Sequence, residues 1–468
     1  MKILAASKPL PIKRFGRDEV SAAIDRAFHA PVLQQKPVFW ALALLCAYFF
    51  FMQTLSFIST WDTDSPSYYT AAQGLRAGIN IYEDREFQPL ADSLFGKGLV
   101  VYPYLYPPLL AQICLPLAGL SQSANFLFFY VLNLLLTFLG LYLTIELLEL
   151  SRCRTLLPAL FPFALLLFNE PLLTTIHHGQ VNLIVFDAIL LSLVFQKKDK
   201  PLPATFFLSL AVFIKIYPVL FILPFLFSKR IKYLAAFAAN SAALLSFSLL
   251  LSGPKPWLDF ARSTLDLFLK KPNSPFTQGF QNSFGNVSLK GFLTQGFARL
   301  QLPETMVVPV FIALTALLFI LIFVIPKKRA ISSDPALESS LLFILTLVLA
   351  PITWSHHFVI MLFPLSYLFG RIIREKRYAF LPLLAFLGSQ ILYELPWGAF
   401  PYNQVRLLAV LGLLGMLLHF ARTSPVNDDA VWGVKGRARR EPGEIIPSGA
   451  SSTLSAPRAE ARPYSLRE

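Results

Sequence analysis

Long apolar runs alternate along the chain with short polar connections, which is the pattern of a protein that crosses a membrane many times. The runs at residues 39–58, 126–148 and 232–251 approach or exceed the ~20 residues that a helix needs to cross ~30 Å of hydrocarbon. With shorter runs included, the pattern predicts about twelve spanning helices. The sequence therefore predicts an all-α polytopic membrane protein.

One apolar stretch, residues 204–227, is interrupted at Lys215. Basic clusters flank it on both sides, and if both lie in the cytoplasm the stretch must cross the membrane an even number of times. Its length suits only one full span. We therefore expect two short helices that meet at Lys215, Tyr217 and Pro218. Irregular backbone at membrane depth is tolerated only where it is buried in protein or lines a wet cavity, so the break also predicts a cavity.

Composition and charge agree with a membrane protein. Of the 468 residues, 55% are hydrophobic and 15% are charged, which does not fit a soluble surface. The net charge of +14 could suggest nucleic-acid binding, but most of the Lys and Arg residues cluster between apolar runs or in the termini, as the positive-inside rule expects. We predict no nucleic-acid partner and a multi-pass protein of the plasma (inner) membrane with both termini in the cytoplasm.

The same charge map divides the chain into three parts. Residues 1–37 form a predicted cytoplasmic segment, residues 38–422 form the transmembrane domain, and residues 423–468 form a tail predicted to be disordered because it is rich in Pro, Ser, Gly, Arg and Glu. Two long loops, about residues 59–122 and 253–304, are predicted to face the periplasm or exterior. The first apolar run is too long for a signal-peptide core, so we expect a retained first span.

A set of polar residues falls on the predicted outer side. Ionisable groups at membrane depth are costly and usually mark a functional path. The set comprises Asp62, Asp64, His177, His178, Gln180, Asn182, Lys215, Asn286, Ser288, His356 and His357. Structural roles compete with functional ones: Asp64 suits a helix cap before Pro66, Lys215 suits a structural salt bridge, and the histidine pairs suit backbone carbonyls.

Zinc chemistry is one alternative for four histidines and two aspartates. Adjacent histidines diverge by about 100° on a helix, so neither pair has the i, i+4 spacing of a helical metal clamp. We expect no tightly bound metal. The sequence also contains no phosphate-binding glycine loop, nucleophile elbow or dinucleotide-binding motif, which argues against soluble nucleotide chemistry.

An ordered set of short motifs resembles the glycosyltransferases of family 87, polyprenyl-phosphate-sugar-dependent membrane enzymes of the GT-C superfamily. No single motif is specific, but together they recur in the family's order over residues 61–364. They are Asp64 with Tyr68, Tyr69, Ala71, Ala72, Gly78 and Tyr82; Tyr106 with Pro107 and Pro108; Gly179, Gln180 and Asn182; Lys215 with Pro218; Asn286, Ser288 and Gly291; and Pro351 with Trp354, His356 and His357. The departure is Ser65, Pro66 and Ser67 after Asp64, which leaves Asp62 as a substitute base.

The resemblance implies a GT-C fold in which the loop after the first span carries the catalytic aspartate and short interfacial helices. It implies a donor such as polyprenyl-phosphate mannose or decaprenyl-phosphate arabinose, and a lipid- or glycan-linked acceptor on the outer face. No cofactor is required, and a divalent metal is optional.

The chemistry of this reaction assigns roles to the polar set. A sugar phosphate already has a good leaving group, so transfer mainly needs a base for the acceptor hydroxyl. We predict that Asp64, with Asp62 in reserve, is that base, and that direct displacement inverts the anomeric centre. Lys215, His356 and His357 are predicted to bind the donor phosphate. The predicted substrate-binding residues are Tyr68, Tyr69, His177, His178, Gln180, Asn182, Asn286 and Ser288.

A transporter or lipid-linked-sugar flippase is the main alternative, because many spans, broken helices and midplane charges also describe carriers. The sequence shows no obvious half-to-half repeat, and the two long loops suit an acceptor site better than alternating access. A noncatalytic scaffold has no need for the ordered polar set. The enzyme is therefore the preferred interpretation.

Overall fold

Helices and the turns between them account for the regular structure of the protein. The computed structural model describes residues 17–28, 30–58, 64–97, 101–153, 155–269, 285–324, 334–393 and 400–423. Three sequence predictions concern residues wholly or partly outside these ranges. They are the reserve base Asp62, the cytoplasmic amino-terminal segment, of which residues 1–16 and 29 lie outside, and the tail predicted to be disordered, of which residues 424–468 lie outside. Within the ranges there is no strand, so the all-α prediction is confirmed.

The α-helices share a high content of Leu, Phe, Ala and Val, and many begin with a proline in their first turn, where its missing N–H costs nothing. In chain order they are α1 (Arg17–Phe28), α2 (Lys36–Thr54), α3 (Asp64–Ala77), α4 (Asp84–Phe95), α5 (Pro108–Ile113), α6 (Gln122–Leu147), α7 (Leu157–Leu165), α8 (Glu170–His177), α9 (Asn182–Lys197), α10 (Pro201–Ile214), α11 (Leu223–Phe227), α12 (Ile231–Ser252), α13 (Lys255–Leu269), α14 (Leu289–Arg299), α15 (Val307–Phe319), α16 (Pro335–Leu349), α17 (Leu362–Arg374), α18 (Leu381–Leu392) and α19 (Val405–Thr423).

Six helical segments among the described residues are long and apolar enough to cross a membrane. They are Lys36–Ile58, Gln122–Leu147, Ile231–Ser252, Glu304–Phe323, Ser355–Arg374 and Tyr402–Thr423. A seventh span is formed if Leu157–Phe168 and Glu170–His177, which meet at 59°, count as one. Other apolar helices, such as α10 and α16, are shorter. The protein is therefore a multi-span membrane protein, while the expected number of about twelve spans is not confirmed.

The break at Lys215 occurs where the sequence predicts it. Helix α10 ends at Ile214, and Lys215 has extended backbone angles, φ −142° and ψ 132°. A 3₁₀ helix, Tyr217–Ile222, begins two residues later with Pro218 in its first turn, and α11 continues from it. Pro218 cannot donate a hydrogen bond into a preceding helical turn, so the α-helix cannot continue through this position.

Helices α9, α16 and α17 are largely buried, whereas few side chains of α12 and α15 are buried. Helix α9 packs between α6 and α10, and α8 packs against the 3₁₀ helix Ser355–Met361. These contacts bring the connection between α8 and α9 beside the connection that follows α16. The candidate site lies where the two connections meet.

Short helices also fill the first predicted outer loop, as the family resemblance implies. Helices α3, α4 and α5 follow α2, and the 3₁₀ helix Leu117–Gly119 leads into α6. The Gln73 side chain donates to the Ala118 carbonyl at 2.7 Å, and the Tyr69 hydroxyl donates to the Leu120 carbonyl at 3.3 Å. These bonds fix α3 against the start of α6, so the amino-terminal end of α3 has a defined position.

Candidate active site

A cavity of about 820 Å³ lies where α3, α8, the break after α10 and the segment before α17 come together. Its volume suits a drug-sized or larger organic ligand. Seven of the predicted site residues line it: Asp64, His177, His178, Gln180, Lys215, His356 and His357. Residues separated by up to 293 positions are thus brought together at one site.

Asp64 is the first residue of α3 and is 6% exposed. The backbone N–H of Ser65 donates to the His178 carbonyl at 3.1 Å, which ties this helix end to the connection after α8. The Asp64 Oδ2 atom lies 4.0 Å from His178 Nδ1. A helix amino terminus favours negative charge, so this position suits an ionised carboxylate.

A tyrosine pair lies behind Asp64. The hydroxyls of Tyr68 and Tyr106 are 3.2 Å apart, and they lie 3.0 and 3.3 Å from Gln180 Oε1. Burial, and then the negative charge of Asp64, raises the pKa of Tyr106 above its ordinary value, so this phenol stays protonated. Tyr106 also lines the cavity. The sequence marked it only through the two prolines that follow it.

Lys215 points its ammonium group into the same cavity. Its Nζ donates to Asn182 Oδ1 at 2.5 Å and lies 5.0 Å from the centre of the Tyr106 ring. It is also close enough to Asp64 for their opposite charges to interact. The extended backbone at the helix break directs this side chain inward, and the amide of Asn182 holds its head in place.

The ring of His357 is held in one tautomer. The backbone N–H of Trp354 donates to His357 Nδ1 at 2.9 Å, which occupies the lone pair of that nitrogen. A neutral ring bonded in this way carries its proton on Nε2. The His357 Nε2 atom lies 3.2 Å from Lys215 Nζ. An acceptor placed between two such donors would bond to both, so this pair of side chains suits an anion.

Asn182 connects the backbone of His356 to the side chain of Lys215. Its Nδ2 donates to the His356 carbonyl at 3.1 Å while its Oδ1 accepts from Lys215. The Thr175 hydroxyl donates to the same carbonyl at 3.1 Å. Because Asn182 is fully buried and does not line the cavity, its observed contacts position Lys215 and the backbone of His356.

Asn286 and Ser288 form a second support, for the segment that precedes the histidines. The Asn286 side chain donates to the Pro351 carbonyl at 3.2 Å and accepts from the Thr353 N–H at 3.0 Å. The Ser288 hydroxyl donates to the Pro351 carbonyl at 3.2 Å, and the Val287 N–H donates to the Thr353 carbonyl at 2.8 Å. These bonds clamp residues 351–353, from which the chain leads directly to His356 and His357.

Five predicted substrate-binding residues therefore do not line the cavity. They are Tyr68, Tyr69, Asn182, Asn286 and Ser288. Their predicted contacts with substrate stay a prediction, whereas their contacts with Gln180, Lys215 and the backbone are observed. Among the cavity residues that did not stand out in the sequence are Glu170, which starts α8 in an otherwise ordinary helix, and Tyr217, which looked like part of the helix break.

Gly179 gives the tight connection between α8 and α9 and supports a first prediction. Its φ is +64°, and a Cβ there would lie 2.9 Å from Ser65 Cβ. Gly179→Ala is therefore expected to cost at least ~1 kcal/mol of stability from the left-handed backbone alone and to displace Asp64. The melting temperature and transferase activity of purified protein should both fall. Gly415→Ala, which has open space at its Cβ position in α19, is the matched control, and equal effects of the two changes would contradict the prediction.

Comparisons with known proteins agree with the resemblance seen in the sequence. The chain matches the family model of glycosyltransferase family 87 over residues 104–351, which is more than half of its length. The matched region includes Gln180 and Lys215. It begins after Asp64 and ends before His356.

Two curated relatives are similar to the chain. A polyprenol-phosphate-mannose-dependent alpha-(1-2)-phosphatidylinositol mannoside mannosyltransferase of Mycolicibacterium smegmatis is 27% identical over 290 residues, which cover 57% of this chain and 61% of the relative. The protein of the same name from Mycobacterium tuberculosis is 23% identical over 333 residues, which cover 66% and 74%. The chain thus spans about three fifths of the length of the first relative. No solved structure matches it.

Proposed function

Because the chain belongs to glycosyltransferase family 87, we propose that it transfers a sugar from a polyprenyl-phosphate carrier to a hydroxyl of a glycan or glycolipid. The observation that carries the proposal is the pair of donors formed by Lys215 and His357, in the same cavity as Asp64. A polyprenyl-phosphate sugar has the anion that such a pair binds, next to the carbon that reacts.

Asp64 is proposed to remove the proton from the acceptor hydroxyl as that oxygen attacks the sugar. A general base of this kind accelerates a reaction ~10²- to 10⁴-fold. Glu170 is a second carboxylate in the cavity, but both of its oxygens are already bonded, to Arg406 and to Thr174. With Asp64 as the one proposed base and Glu170 held by two partners, direct displacement with inversion is favoured over a double displacement.

The phosphate gains negative charge as the glycosidic bond breaks, and fixed donors in a cavity of low polarity stabilise that charge strongly. We propose that Lys215 supplies positive charge and that His357 supplies the Nε2–H. His356 lies beside His357, with ring centres 4.4 Å apart, and is proposed to complete the phosphate site. With these donors the leaving group needs no divalent metal, so transfer should survive a chelator.

The remaining walls suit the lipid part of the donor. Apolar side chains from the 3₁₀ helix after Lys215 and from α15 line the cavity, among them Val219, Leu220, Phe311 and Phe319. The rings of Phe227, the last residue of α11, and Phe323, in the π-helical turn that follows α15, lie 5.2 Å apart. We propose that the first isoprene units lie between the 3₁₀ helix and α15 while the phosphate contacts Lys215.

The names of the relatives guide the choice of substrates. Both are described as using polyprenol-phosphate mannose and acting on phosphatidylinositol mannoside. Mannose is therefore the proposed donor sugar ahead of an arabinofuranose, and a glycolipid is the proposed acceptor. The charge pattern supports a plasma-membrane protein with cytoplasmic termini and its active face outside.

The proposal is tested with purified protein in vesicles that contain radiolabelled polyprenyl-phosphate mannose or decaprenyl-phosphate arabinose. We expect the mannosyl label to move to a mannoside glycolipid at equal rates with and without EDTA. The stereochemistry of the product would report on inversion. Movement of lipid or solute across the bilayer without any glycosyl product would instead support the transporter alternative.

A further inference from the structure

Glu170 is a charged cavity residue to which the proposed reaction gives no role. One carboxylate oxygen, Oε1, accepts a hydrogen bond from the Thr174 hydroxyl at 2.5 Å, and the other, Oε2, is bonded to the guanidinium of Arg406. Arg406 is 7% exposed, and its guanidinium lies 5.7 Å from the centre of the Phe358 ring. The carboxylate is thus held in one orientation at the cavity wall by a buried cation.

The position of Glu170 relates it to the proposed base. Glu170, Thr174 and His177 are spaced i, i+4 and i+7 on α8, so they share one helix face, and all three line the cavity. Seven residues of α-helix extend about 10 Å. These three side chains therefore form a row along the cavity that begins at Glu170 and ends beside His178, which neighbours Asp64.

The charge of Glu170 argues against a role in donor binding. The donor's phosphate is assigned to Lys215 and His357, which belong to other segments, and a fixed carboxylate repels a phosphate. An ionised carboxylate has about four lone-pair sites, of which Arg406 and Thr174 use two. The remaining sites can accept hydrogen bonds from neighbouring hydroxyls.

We propose that Glu170 recognises the acceptor by accepting hydrogen bonds from hydroxyls of an uncharged sugar or cyclitol unit. The inference rests on the proposed function and adds the part of the cavity that the acceptor occupies. Arg406 is a positioning residue, because it is buried and acts through Glu170. The unit of the acceptor at Glu170 carries no phosphate, and any anionic group of the acceptor lies elsewhere.

Glu170→Gln tests the assignment, with octyl mannoside as the acceptor and polyprenyl-phosphate mannose as the donor. The KM for octyl mannoside should rise about tenfold or more, since hydrogen bonds to a charged group are lost. The kcat at saturating acceptor and the inhibition constant of free polyprenyl phosphate should stay within about twofold. Thr174→Val, which removes only the Oε1 partner, should raise the same KM by a smaller factor.

Glu83→Gln is the matched control, because Glu83 is a glutamate of the same predicted side that lies outside the cavity. An unchanged acceptor KM in folded Glu170→Gln protein would overturn the assignment, as would a change confined to the inhibition constant of polyprenyl phosphate. Wild-type protein that neither uses nor binds octyl mannoside, while it transfers mannose to another class of acceptor, would also overturn it. Failure of the proposed function is distinct, because wild-type protein would then transfer no sugar from any lipid donor.

Discussion

Asp64→Asn is expected to lower the rate of glycosyl transfer by ~10²-fold or more and to leave the protein folded. Asparagine has the size of aspartate and is also favoured at a helix start, so α3 and its bond to His178 should survive. An amide cannot accept the proton of the acceptor hydroxyl. The loss should therefore appear in kcat, with little change in the inhibition constant of free polyprenyl phosphate.

Asp84→Asn is the matched control for this change. Asp84 is also the first residue of a helix, α4, but it lies outside the cavity, so its substitution should have no effect on kcat. Asp62→Asn belongs in the same experiment, because Asp62 is the reserve base. Full activity of Asp64→Asn together with an inactive Asp62→Asn would transfer the role of base to Asp62.

Lys215 shows how far the sequence alone could lead. The break in its helix was predictable. Basic clusters on the same side of the membrane require an even number of crossings between them, and Pro218 interrupts a continuous helix. The inward direction of its side chain followed from the high cost of a charge facing lipid. The partners of its side chain were harder to predict, since the bond to Asn182 and the neighbouring His357 depend on contacts across 33 and 142 positions of sequence.

Polar residues of the same type have different positions in the structure, and the sequence around them does not predict which position each one takes. Gln180 and Asn286 are both buried amides in short motifs, yet Gln180 lines the cavity while Asn286 bonds the backbone of residues 351–353. Which surface an amide faces depends on the packing of distant segments. Glu170 escaped notice for the same reason, because only its contacts with Arg406 and Thr174 distinguish it from a surface glutamate.

The number of spans, expected to be about twelve, is not confirmed by the lengths of the described helices. A helix needs ~20 residues to cross the bilayer, and several apolar helices here are shorter because prolines or the site itself end them. Helix α10 ends at the cavity, and α16 ends at the segment that leads to His356. Apolar length alone therefore does not fix the number of spans in a protein that also contains shorter apolar helices.

Lys215→Met is expected to reduce kcat by ~10²- to 10³-fold, the range observed when one donor to a developing oxyanion is removed. Methionine retains an unbranched side chain of similar length but has neither charge nor N–H, so the cavity keeps its shape while the leaving phosphate loses a partner. The loss in kcat should be larger than the loss in donor affinity, because the charge on the phosphate grows as the glycosidic bond breaks. Steady-state kinetics with polyprenyl-phosphate mannose would separate the change in kcat from the change in donor binding.

Further variants test whether the loss of kcat in Lys215→Met comes from lost contacts with the leaving phosphate. His357→Gln can place an amide N–H near the position of Nε2, so it should retain more activity than His357→Ala, and only a role as hydrogen-bond donor predicts that order. Lys255→Met is the matched control, since Lys255 pairs with Asp259 at 2.8 Å outside the cavity and should leave kcat unchanged. If Lys215→Met retained the wild-type kcat, the leaving phosphate would have to bind elsewhere in the cavity. Equal activities of His357→Gln and His357→Ala would instead restrict His357 to packing beside Trp354, and Lys215 alone would then stabilise the charge.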